Sequence, residues 1–321
     1  MPTKTKYELK PGAATREAFG KALVELGHSN PAVVVLDADL SKSTYTAGFA
    51  KEFPDRFFEC GIAEANMMAI GSGLAAGGKI PFASSFSVFA MNKGFEQLRV
   101  TAAFPNVNLK VVGTHSGISI GEDGPSQMSI EDLSLACSLP GFTVISPADE
   151  VATMKLVKAA AEHVGPVFMR TGRLKVPVIY EAGHEFAIGK AVELMEGTDV
   201  TLIATGLMVA EAIRAAETLE AEGISARVLD MHTVKPLDRD AIVRAARETG
   251  AIVVAEEHLV DGGLGVRISQ VIAEMHPVPM EFVGIQNTYA ESASPEELLD
   301  KYGLLARDVA AAARVVMKRK P

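Results

Sequence analysis

Short runs of β-branched residues alternate along this sequence with stretches of helical periodicity, and few folds other than a helix-covered parallel sheet accept that order. Two sets of strands are predicted, and the segment between them, residues 176–199, is rich in glycine and lacks a helical period. We therefore expect an α/β fold of two doubly wound domains, residues 1–188 and 189–321. The predicted strands are residues 32–36, 108–113, 142–145 and 167–170 in the first domain and 200–205, 226–229, 252–255 and 280–283 in the second.

Three helix boundaries also have sequence signals. The tetrapeptide SPAD at residues 146–149 resembles a capping box with proline at the first helical position, so we expect a helix over residues 151–163. Gly250 is expected to close a helix over residues 239–249. The alanine-rich end, LLARDVAAAARVVMKRK, predicts a C-terminal helix.

Charge and composition exclude several classes of protein. The chain has 40 acidic and 31 basic residues, and its net charge of -9 is spread along the sequence, which argues against nucleic-acid or anionic-membrane binding. It has no run of about 18 apolar residues and no signal-peptide pattern, so we expect a soluble, non-secreted, cytoplasmic protein. Cys60 and Cys137 lack CxxC spacing, so we expect two reduced thiols and no metal site in this chain.

Polar residues follow several of the predicted strands, at the positions where open parallel sheets bind ligands. Asp37 and Asp39 follow the first strand, and either could cap the next helix. Arg170 and Arg173 follow the strand at residues 167–170. Their guanidinium groups suit a phosphate or a carboxylate, and a surface salt bridge is the alternative.

The loop THSGISIGEDGPSQM, residues 114–128, is too long for a simple connection and is rich in glycine. Such a loop can wrap closely around a ligand. His115 and Asp123 both lie in it, and they could move protons and accept hydrogen bonds from a hydroxylated substrate. A solvated surface loop is the simpler alternative.

Glu64 lies within the nearly apolar stretch RFFECGIAEANMMAIGSGLAAGG. It follows a predicted strand at residues 56–60 and starts a helical pattern over residues 65–75, so it could do no more than interact with the helix dipole. Burial of an unpaired carboxylate, however, costs several kcal/mol or raises its pKa. No cation lies close in sequence, so we expect the partner of Glu64 to be distant in the fold or to be a ligand.

The motifs carry a resemblance to a known family. ATREAFGKAL, LDADLSKST, DRFFECGIAEANM, IPFASSFSVFA and GTHSGISIGEDGPSQM occur in this order within residues 12–180, which resemble the pyrimidine-binding part of transketolase, and residues 190–321 are similar to its C-terminal domain. The resemblance implies a thiamine diphosphate enzyme that transfers a two-carbon ketol unit from a ketose phosphate to an aldose phosphate. It assigns to Glu64 a hydrogen bond with a ring nitrogen of the aminopyrimidine, which promotes the imino tautomer that deprotonates the thiazolium carbon.

The resemblance implies roles for further residues. Phe86 and Phe89 would pack on the pyrimidine ring, and their spacing of three predicts that they share one helical face. Asp39 would lie near the cofactor. The implied substrate contacts are His115, which would also assist proton transfer or stabilise an alkoxide, Asp123 and Gln127 on the sugar, and Arg16, Ser43 and Arg173 on the terminal phosphate. Asn92 stands where some members of the family have tyrosine.

One part of the family pattern is missing. In the family, a Gly-Asp-Gly motif and an asparagine downstream hold magnesium in a diphosphate-binding domain, and this sequence contains no GDG. We therefore expect a separate N-terminal transketolase subunit to hold the magnesium and the diphosphate. This chain would be the C-terminal subunit of a split transketolase, in a heterotetramer built on a dimer of these chains.

Alternatives remain open at this point. The β subunit of a 2-oxoacid dehydrogenase or a deoxyxylulose phosphate synthase would use Glu64 in the same way, and the chain could also be a non-catalytic scaffold subunit. Arg16 and Arg173 favour a phosphorylated sugar over a short oxoacid. Glu256, Glu257 and His258 receive no chemical role and could serve only a subunit interface.

Overall fold

The computed structural model describes residues 7–320, and its two large sheets carry helices on both faces, which confirms the predicted doubly wound α/β class. The strands are β1 (Lys10–Ala14), β2 (Val33–Asp37), β3 (Phe57–Glu59), β4 (Ile80–Phe86), β5 (Lys110–Thr114), β6 (Thr143–Ile145), β7 (Val167–Arg170), β8 (Lys175–Val178), β9 (Val192–Met195), β10 (Val200–Ala204), β11 (Ala226–Asp230), β12 (Thr233–Lys235), β13 (Ile252–Leu259) and β14 (Met280–Ile285). The α-helices are α1 (Thr15–Ser29), α2 (Ser41–Thr44), α3 (Ala47–Glu52), α4 (Glu64–Ala76), α5 (Phe95–Gln97), α6 (Asp132–Ser138), α7 (Glu150–Glu162), α8 (Met208–Ala221), α9 (Arg239–Thr249), α10 (Leu264–Met275), α11 (Pro295–Lys301) and α12 (Ala306–Met317). A short 3-10 helix covers Pro54–Arg56, and two π-helical segments cover Phe89–Lys93 and Leu98–Ala103.

The first sheet has seven strands in the order β12-β6-β7-β5-β4-β2-β3, and only β12 runs antiparallel to its neighbour. Both faces of the sheet are covered: in β2, Val33 and Val35 pack in one apolar cluster and Leu36 packs in the other. This is why the strands appear in the sequence as nearly continuous apolar runs. The parallel arrangement brings the carboxyl ends of β2, β4 and β5 together at one edge.

The second sheet has five strands in the order β14-β13-β10-β11-β9, with β9 antiparallel to β11. Strands β1 and β8 form a small antiparallel pair. Strand β12 comes from the second half of the chain but pairs with β6, so the two halves share one sheet edge. The domain boundary near residue 188 stays a prediction. Among the described residues, no helix combines the length and apolar character that a membrane crossing requires.

All eight strands predicted in the two sets are confirmed, with ends shifted by a few residues, and so is the strand predicted at residues 56–60. Five strands were not predicted: β1, β4, β8, β9 and β12. Of these, β4 lies in the middle of the first sheet, between β2 and β5. Its sequence, IPFASSF, has proline and two serines where a central strand normally carries aliphatic residues. The structure accommodates Ser84 because its Oγ donates a hydrogen bond to the carbonyl of Val112 at 3.1 Å.

The predicted capping box at residues 146–149 is wrong in detail. Helix α7 begins at Glu150, and Asp149 is the N-cap, because its Oδ1 accepts a hydrogen bond from the backbone N–H of Ala152 at 2.7 Å. Pro147 therefore precedes the helix. The other two boundaries are confirmed: Gly250 ends α9 with a φ of 67°, and the C-terminal helix is α12.

A buried ion pair connects β7 to α6. Arg170 Nε lies 2.9 Å from Asp132 Oδ2, and Ser87 Oγ donates to the same oxygen at 2.6 Å. The Arg170 guanidinium also donates to the backbone carbonyls of Ser129 and Glu257, at 3.2 Å and 2.7 Å. Arg170 therefore does not form the surface salt bridge considered from the sequence.

Glu256, Glu257 and His258 lie inside the chain, so a role for their side chains at a subunit interface is wrong. The two carboxylate oxygens of Glu256 accept the backbone N–H groups of Leu264 and Gly265, at 2.7 Å and 2.8 Å. Glu256 thus satisfies the free N–H groups at the start of α10.

We expect Asp132→Ala to lower the free energy of unfolding of the chain by about 3 to 5 kcal/mol, because it leaves the Arg170 charge buried without its partner. Denaturant unfolding measures the effect. Glu185→Ala is the matched control, because it breaks an ion pair with Lys155 in which the glutamate is 81% exposed. It should leave the denaturation midpoint unchanged. Equal midpoints for the two variants would contradict a structural role for the buried pair.

Candidate active site

The candidate site lies at the carboxyl edge of the first sheet, where β2, β4 and β5 end side by side. Asp37 ends β2, Phe86 ends β4, and His115 directly follows β5. Glu64 starts α4 just after β3, which is the neighbour of β2. The edge therefore gathers a carboxylate, an aromatic ring and an imidazole from separate parts of the sequence.

The carboxylate of Glu64 is almost fully buried and has a cationic partner. Lys93 Nζ lies 3.2 Å and 3.4 Å from its two oxygens. The Glu64 side chain is 4% exposed, whereas that of Lys93 is 50% exposed. The expectation of a partner distant in the fold is thus confirmed, since 29 residues separate the two. An ion pair that is open to water on one side can exchange its cation for another hydrogen-bonding group.

Phe86 and Phe89 stack, with ring centroids 5.7 Å apart and ring planes 8° apart. The reason predicted from the sequence is wrong: Phe86 is the last residue of a strand, and Phe89 begins a π-helical segment, so they do not share a helical face. Lys93 follows Phe89 by four residues, a spacing that places two side chains on the same side of a helical turn. Lys93 Nζ lies 4.4 Å from the centroid of the Phe89 ring.

Asp37 and Asp39 have different surroundings. The buried carboxylate of Asp37 accepts hydrogen bonds from the backbone of Leu40 and from the hydroxyls of Thr44 and Thr46, all within 2.8 Å. Burial raises the pKa of Asp37 to about 6, against the opposing effect of these bonds. Asp39 is exposed and has a φ of 61°. Asp37 therefore stabilises the local turn, and the side chain of Asp39 is left available to a ligand.

His115 is a buried imidazole whose hydrogen bonds fix its tautomer. Arg16 Nη1 lies 2.8 Å from Nε2, and an arginine can only donate, so Nε2 must be the unprotonated nitrogen. Nδ1 then carries the proton and donates to Thr114 Oγ1 at 2.8 Å. The ring stacks on Phe86 with centroids 3.8 Å apart. Burial and the charges of Arg16 and Arg173 lower the pKa of His115 to about 3.

The three predicted phosphate contacts, Arg16, Ser43 and Arg173, lie in the region around His115. Arg16 Nη1 also donates to the backbone carbonyl of Ser43 at 2.8 Å. Burial lowers the pKa of Arg16, and the charge of Arg173 acts in the same direction. The carboxylate of Asp123, one of the predicted sugar contacts, raises the pKa of Arg16 and so opposes that shift. Asp123 is therefore close enough to Arg16 for their charges to interact. Two guanidinium groups beside a neutral imidazole favour an anion.

Arg173 is tied to the loop at residues 114–128. Its Nη1 donates to the backbone carbonyl of Ile120 and lies 3.4 Å from Glu122 Oε2. Thr114 is the last residue of β5, and residues 115–128 contain no helix or strand. His115, Gly117, Gly121 and Gly124 all have positive φ. Repeated positive φ angles, most of them at glycine, let the backbone of a loop approach a ligand closely.

The side chains of Gln127 and Asn92 differ in their hydrogen bonding. The side-chain oxygen of Gln127 is buried without a hydrogen-bond partner in the part of the chain that the structure describes. A buried acceptor without a partner is a position for a ligand hydroxyl or an ordered water. Asn92 donates to Glu131 Oε1 at 2.6 Å and is therefore engaged within the chain.

These residues fit an aminopyrimidine ring. Glu64 presents a buried carboxylate that can accept a hydrogen bond from a protonated ring nitrogen, and the rings of Phe86 and Phe89 offer an aromatic surface next to it. Across residues 7–320, no group of three or more His, Cys, Asp or Glu side chains is arranged to hold a metal ion.

Lys93 is the residue of this site that sequence reasoning missed. It lies in the π-helical segment, beside Phe89, and contacts Glu64, which is 29 residues away in the sequence. Neither a π-helical segment nor a contact between separate elements has a reliable sequence signal. The phenylalanine spacing in SFSVFAMNK instead suggests a regular α-helix.

Comparisons with known proteins match both halves of the chain. The family model described as transketolase, pyrimidine binding domain, matches residues 11–178, and the model described as transketolase, C-terminal domain, matches residues 189–309. A transketolase C-terminal section from Methanocaldococcus jannaschii is 43% identical over 308 residues, which cover 95% of this chain and 96% of that protein. Human transketolase is 41% identical over 98% of this chain, but the match covers only 51% of the human protein. A solved structure described as split gene transketolase, inactive beta4 tetramer, is 51% identical with a TM-score of 0.91, and the match covers 97% of this chain and 100% of that one.

We expect the His115 ring to stay neutral, with the proton on Nδ1, from about pH 8 down to about pH 5, because its pKa lies near 3 rather than 6.5. Nitrogen NMR of the labelled imidazole distinguishes the tautomers. Because the folded-state pKa is depressed, protonation favours the unfolded chain and the stabilising contribution is lost as the pH falls below about 6.5. Arg16→Met should raise the pKa of His115, whereas Arg99→Met, at an exposed position away from the site, should not. A ring that titrates near pH 6.5 in the unaltered chain would contradict the burial and charge argument.

Proposed function

Because this chain belongs to the transketolase family, we propose that it is the C-terminal section of a split transketolase. Such an enzyme depends on thiamine diphosphate and transfers a two-carbon ketol unit from a ketose phosphate to an aldose phosphate. The observation that carries this proposal is the buried carboxylate of Glu64, which lies beside an aromatic surface at the carboxyl edge of a parallel sheet. The alternative partner for this carboxylate is only a half-exposed lysine.

Glu64, Phe86 and Phe89 would hold the aminopyrimidine, and Asp39 would lie close to it. Thiamine diphosphate supplies the carbon nucleophile of ketol transfer when it is bound. Glu64 would keep one proton positioned at the ring nitrogen, since a carboxylate at this depth interacts strongly with a single hydrogen-bond donor. Phe86 and Phe89 would exclude water from that hydrogen bond.

Lys93 has to leave Glu64 before the carboxylate can receive a ring nitrogen, because its ammonium group lies against both oxygens. Its side chain is half exposed, so it can turn into solvent at small cost. Lys93 would therefore neutralise Glu64 in the free chain and compete with the cofactor for it.

The sugar phosphate would lie along the residues around His115. Arg16 and Arg173 would bind the terminal phosphate together with Ser43, and Asp123 and Gln127 would bind hydroxyl groups. His115 Nε2 is an acceptor in this arrangement, so His115 would receive a proton or a hydrogen bond from a sugar hydroxyl once the phosphate has attracted Arg16 away. A ligand hydroxyl would also satisfy the buried oxygen of Gln127.

A separate N-terminal section would hold the magnesium and the diphosphate. The absence of a GDG motif from these 321 residues supports this part of the proposal. So does the match to about half of human transketolase and to nearly all of a protein named as a C-terminal section. The solved relative is described as an inactive tetramer of β chains, which agrees with a chain that needs a partner. We propose a heterotetramer built on a dimer of these chains, acting in the cytoplasm.

The alternatives are less well supported. A 2-oxoacid dehydrogenase β subunit binds a short, unphosphorylated substrate, and two guanidinium groups beside His115 would have no function there. A deoxyxylulose phosphate synthase would release carbon dioxide from pyruvate, which an assay detects directly. A non-catalytic scaffold would not need a buried carboxylate next to stacked aromatic rings.

We expect the purified chain to show no ketol transfer between sugar phosphates, and activity to appear when it is mixed with an N-terminal section that carries the GDG motif. The physical reason is that a pyrimidine site alone does not position the diphosphate end of the cofactor. A coupled assay of aldose phosphate formation measures the effect. Turnover by the chain alone, with thiamine diphosphate and magnesium present, would refute the need for a partner.

Glu64→Gln and Lys93→Met should act in opposite directions in the assembled enzyme. Glu64→Gln should lower kcat by at least about 100-fold, because an amide cannot hold the proton at the ring nitrogen. Lys93→Met should instead tighten cofactor binding by about fivefold, because it removes the competing ammonium group. Calorimetric titration of the cofactor and steady-state kinetics measure the two effects. Full activity of the Glu64 variant, or weaker cofactor binding by the Lys93 variant, would contradict the roles proposed here.

A further inference from the structure

The loop at residues 114–128 is attached to the second half of the chain at both of its ends. Near its start, the backbone N–H of Ser119 donates to Glu257 Oε1 at 2.6 Å. Just beyond its end, the carbonyl of Ile130 accepts the backbone N–H of Leu259 at 2.9 Å. Glu257 and Leu259 both belong to β13 of the second sheet. The segment that carries His115 and Asp123 therefore rests on a strand of the other domain.

The backbone of the loop packs directly against the Glu257 carboxylate at Gly117. Gly117 lies so close to it that a Cβ atom would come within 2.1 Å of the Glu257 carboxyl carbon. Gly117 also has a φ of 77°, which side chains other than glycine rarely accept. Gly117 is two residues from His115, so a shift of Glu257 would move the backbone next to the imidazole.

The position of Glu257 is itself fixed by the first half of the chain. Its backbone carbonyl accepts a hydrogen bond from Arg170 Nη2 at 2.7 Å, and the same nitrogen donates to the carbonyl of Ser129 at 3.2 Å. Glu257 thus belongs to a buried, hydrogen-bonded connection between the two halves.

The space around Glu257 excludes a second binding site. The cavity lined by Ser116, Ser119, Arg170 and Glu257 has a volume of about 30 Å³, which accommodates a single water molecule. The carboxylate therefore contacts protein groups and no substrate, and any effect on the reaction must act through the loop.

We propose that Glu257 is a positioning residue for the sugar-binding loop, through which the C-terminal domain controls the affinity for the sugar phosphate. The effect of Glu257 on substrate affinity rests on the proposed function. Its effect on the position of the loop rests on the geometry alone. Glu257 fixes Ser119 and Gly117, and this sets where His115 and Asp123 face the substrate.

The first test uses the free chain and requires no activity. In Glu257→Ala the Ser119 amide loses its acceptor, so its hydrogen exchange should accelerate by at least about tenfold. Glu257→Gln keeps an oxygen acceptor and should retain most of the protection. Glu256→Ala is the matched control, because Glu256 is the adjacent buried carboxylate but binds the start of α10 instead of the loop. Unchanged Ser119 exchange in Glu257→Ala would overturn the proposal.

The second test uses the assembled enzyme with a ketose phosphate and thiamine diphosphate. Glu257→Ala should raise KM for the sugar phosphate about tenfold, with kcat changed less than about threefold and cofactor affinity unchanged. Glu257→Gln should restore KM to within about threefold of the unaltered value. A loss of kcat and cofactor affinity without a change in KM would overturn a positioning role. An assembled enzyme without any ketol transfer would refute the proposed function, and the exchange experiment would still decide whether Glu257 holds the loop.

Discussion

A buried carboxylate has to be balanced by a positive charge or a hydrogen-bond donor, and this requirement at Glu64 underlies the proposed site. Its side chain is almost closed off from water, and in the free chain the ammonium group of Lys93 provides the balance. The ammonium group is half exposed, so the pairing is exchangeable. A carboxylate in this environment can accept a hydrogen bond from a ligand. The stacked rings of Phe86 and Phe89 favour a planar, aromatic ligand.

The second constraint is the positive field around His115. Burial and, after it, the charges of two arginines lower the pKa of His115 and keep the imidazole neutral, although imidazole is the side chain that normally changes charge near neutral pH. The same arginines would attract the phosphate of a sugar. The loop that completes this region is supported by Glu257 from the second sheet, so both halves of the chain contribute to a site whose candidate contacts lie in the first half.

The sequence predicts much of this arrangement because β-strands and loop ends have local signals. Aliphatic runs identify β2, β5 and β10, and an acid within an apolar stretch identifies Glu64. Strand β4 is missed because proline and serine occupy a central strand, and the hydroxyl of Ser84 is accommodated by a hydrogen bond with the neighbouring strand. Lys93 is missed because its contact with Glu64 spans 29 residues, and Glu257 because its contact with Ser119 spans 138 residues. Contacts between distant segments leave no periodic trace in the sequence.

The most direct measurement is a crystal structure of this chain assembled with an N-terminal section and thiamine diphosphate. We predict that a ring nitrogen of the aminopyrimidine lies within hydrogen-bond distance of the Glu64 carboxylate and that Lys93 has turned into solvent. An aminopyrimidine ring located away from Glu64, with the Lys93–Glu64 ion pair intact, would contradict the account.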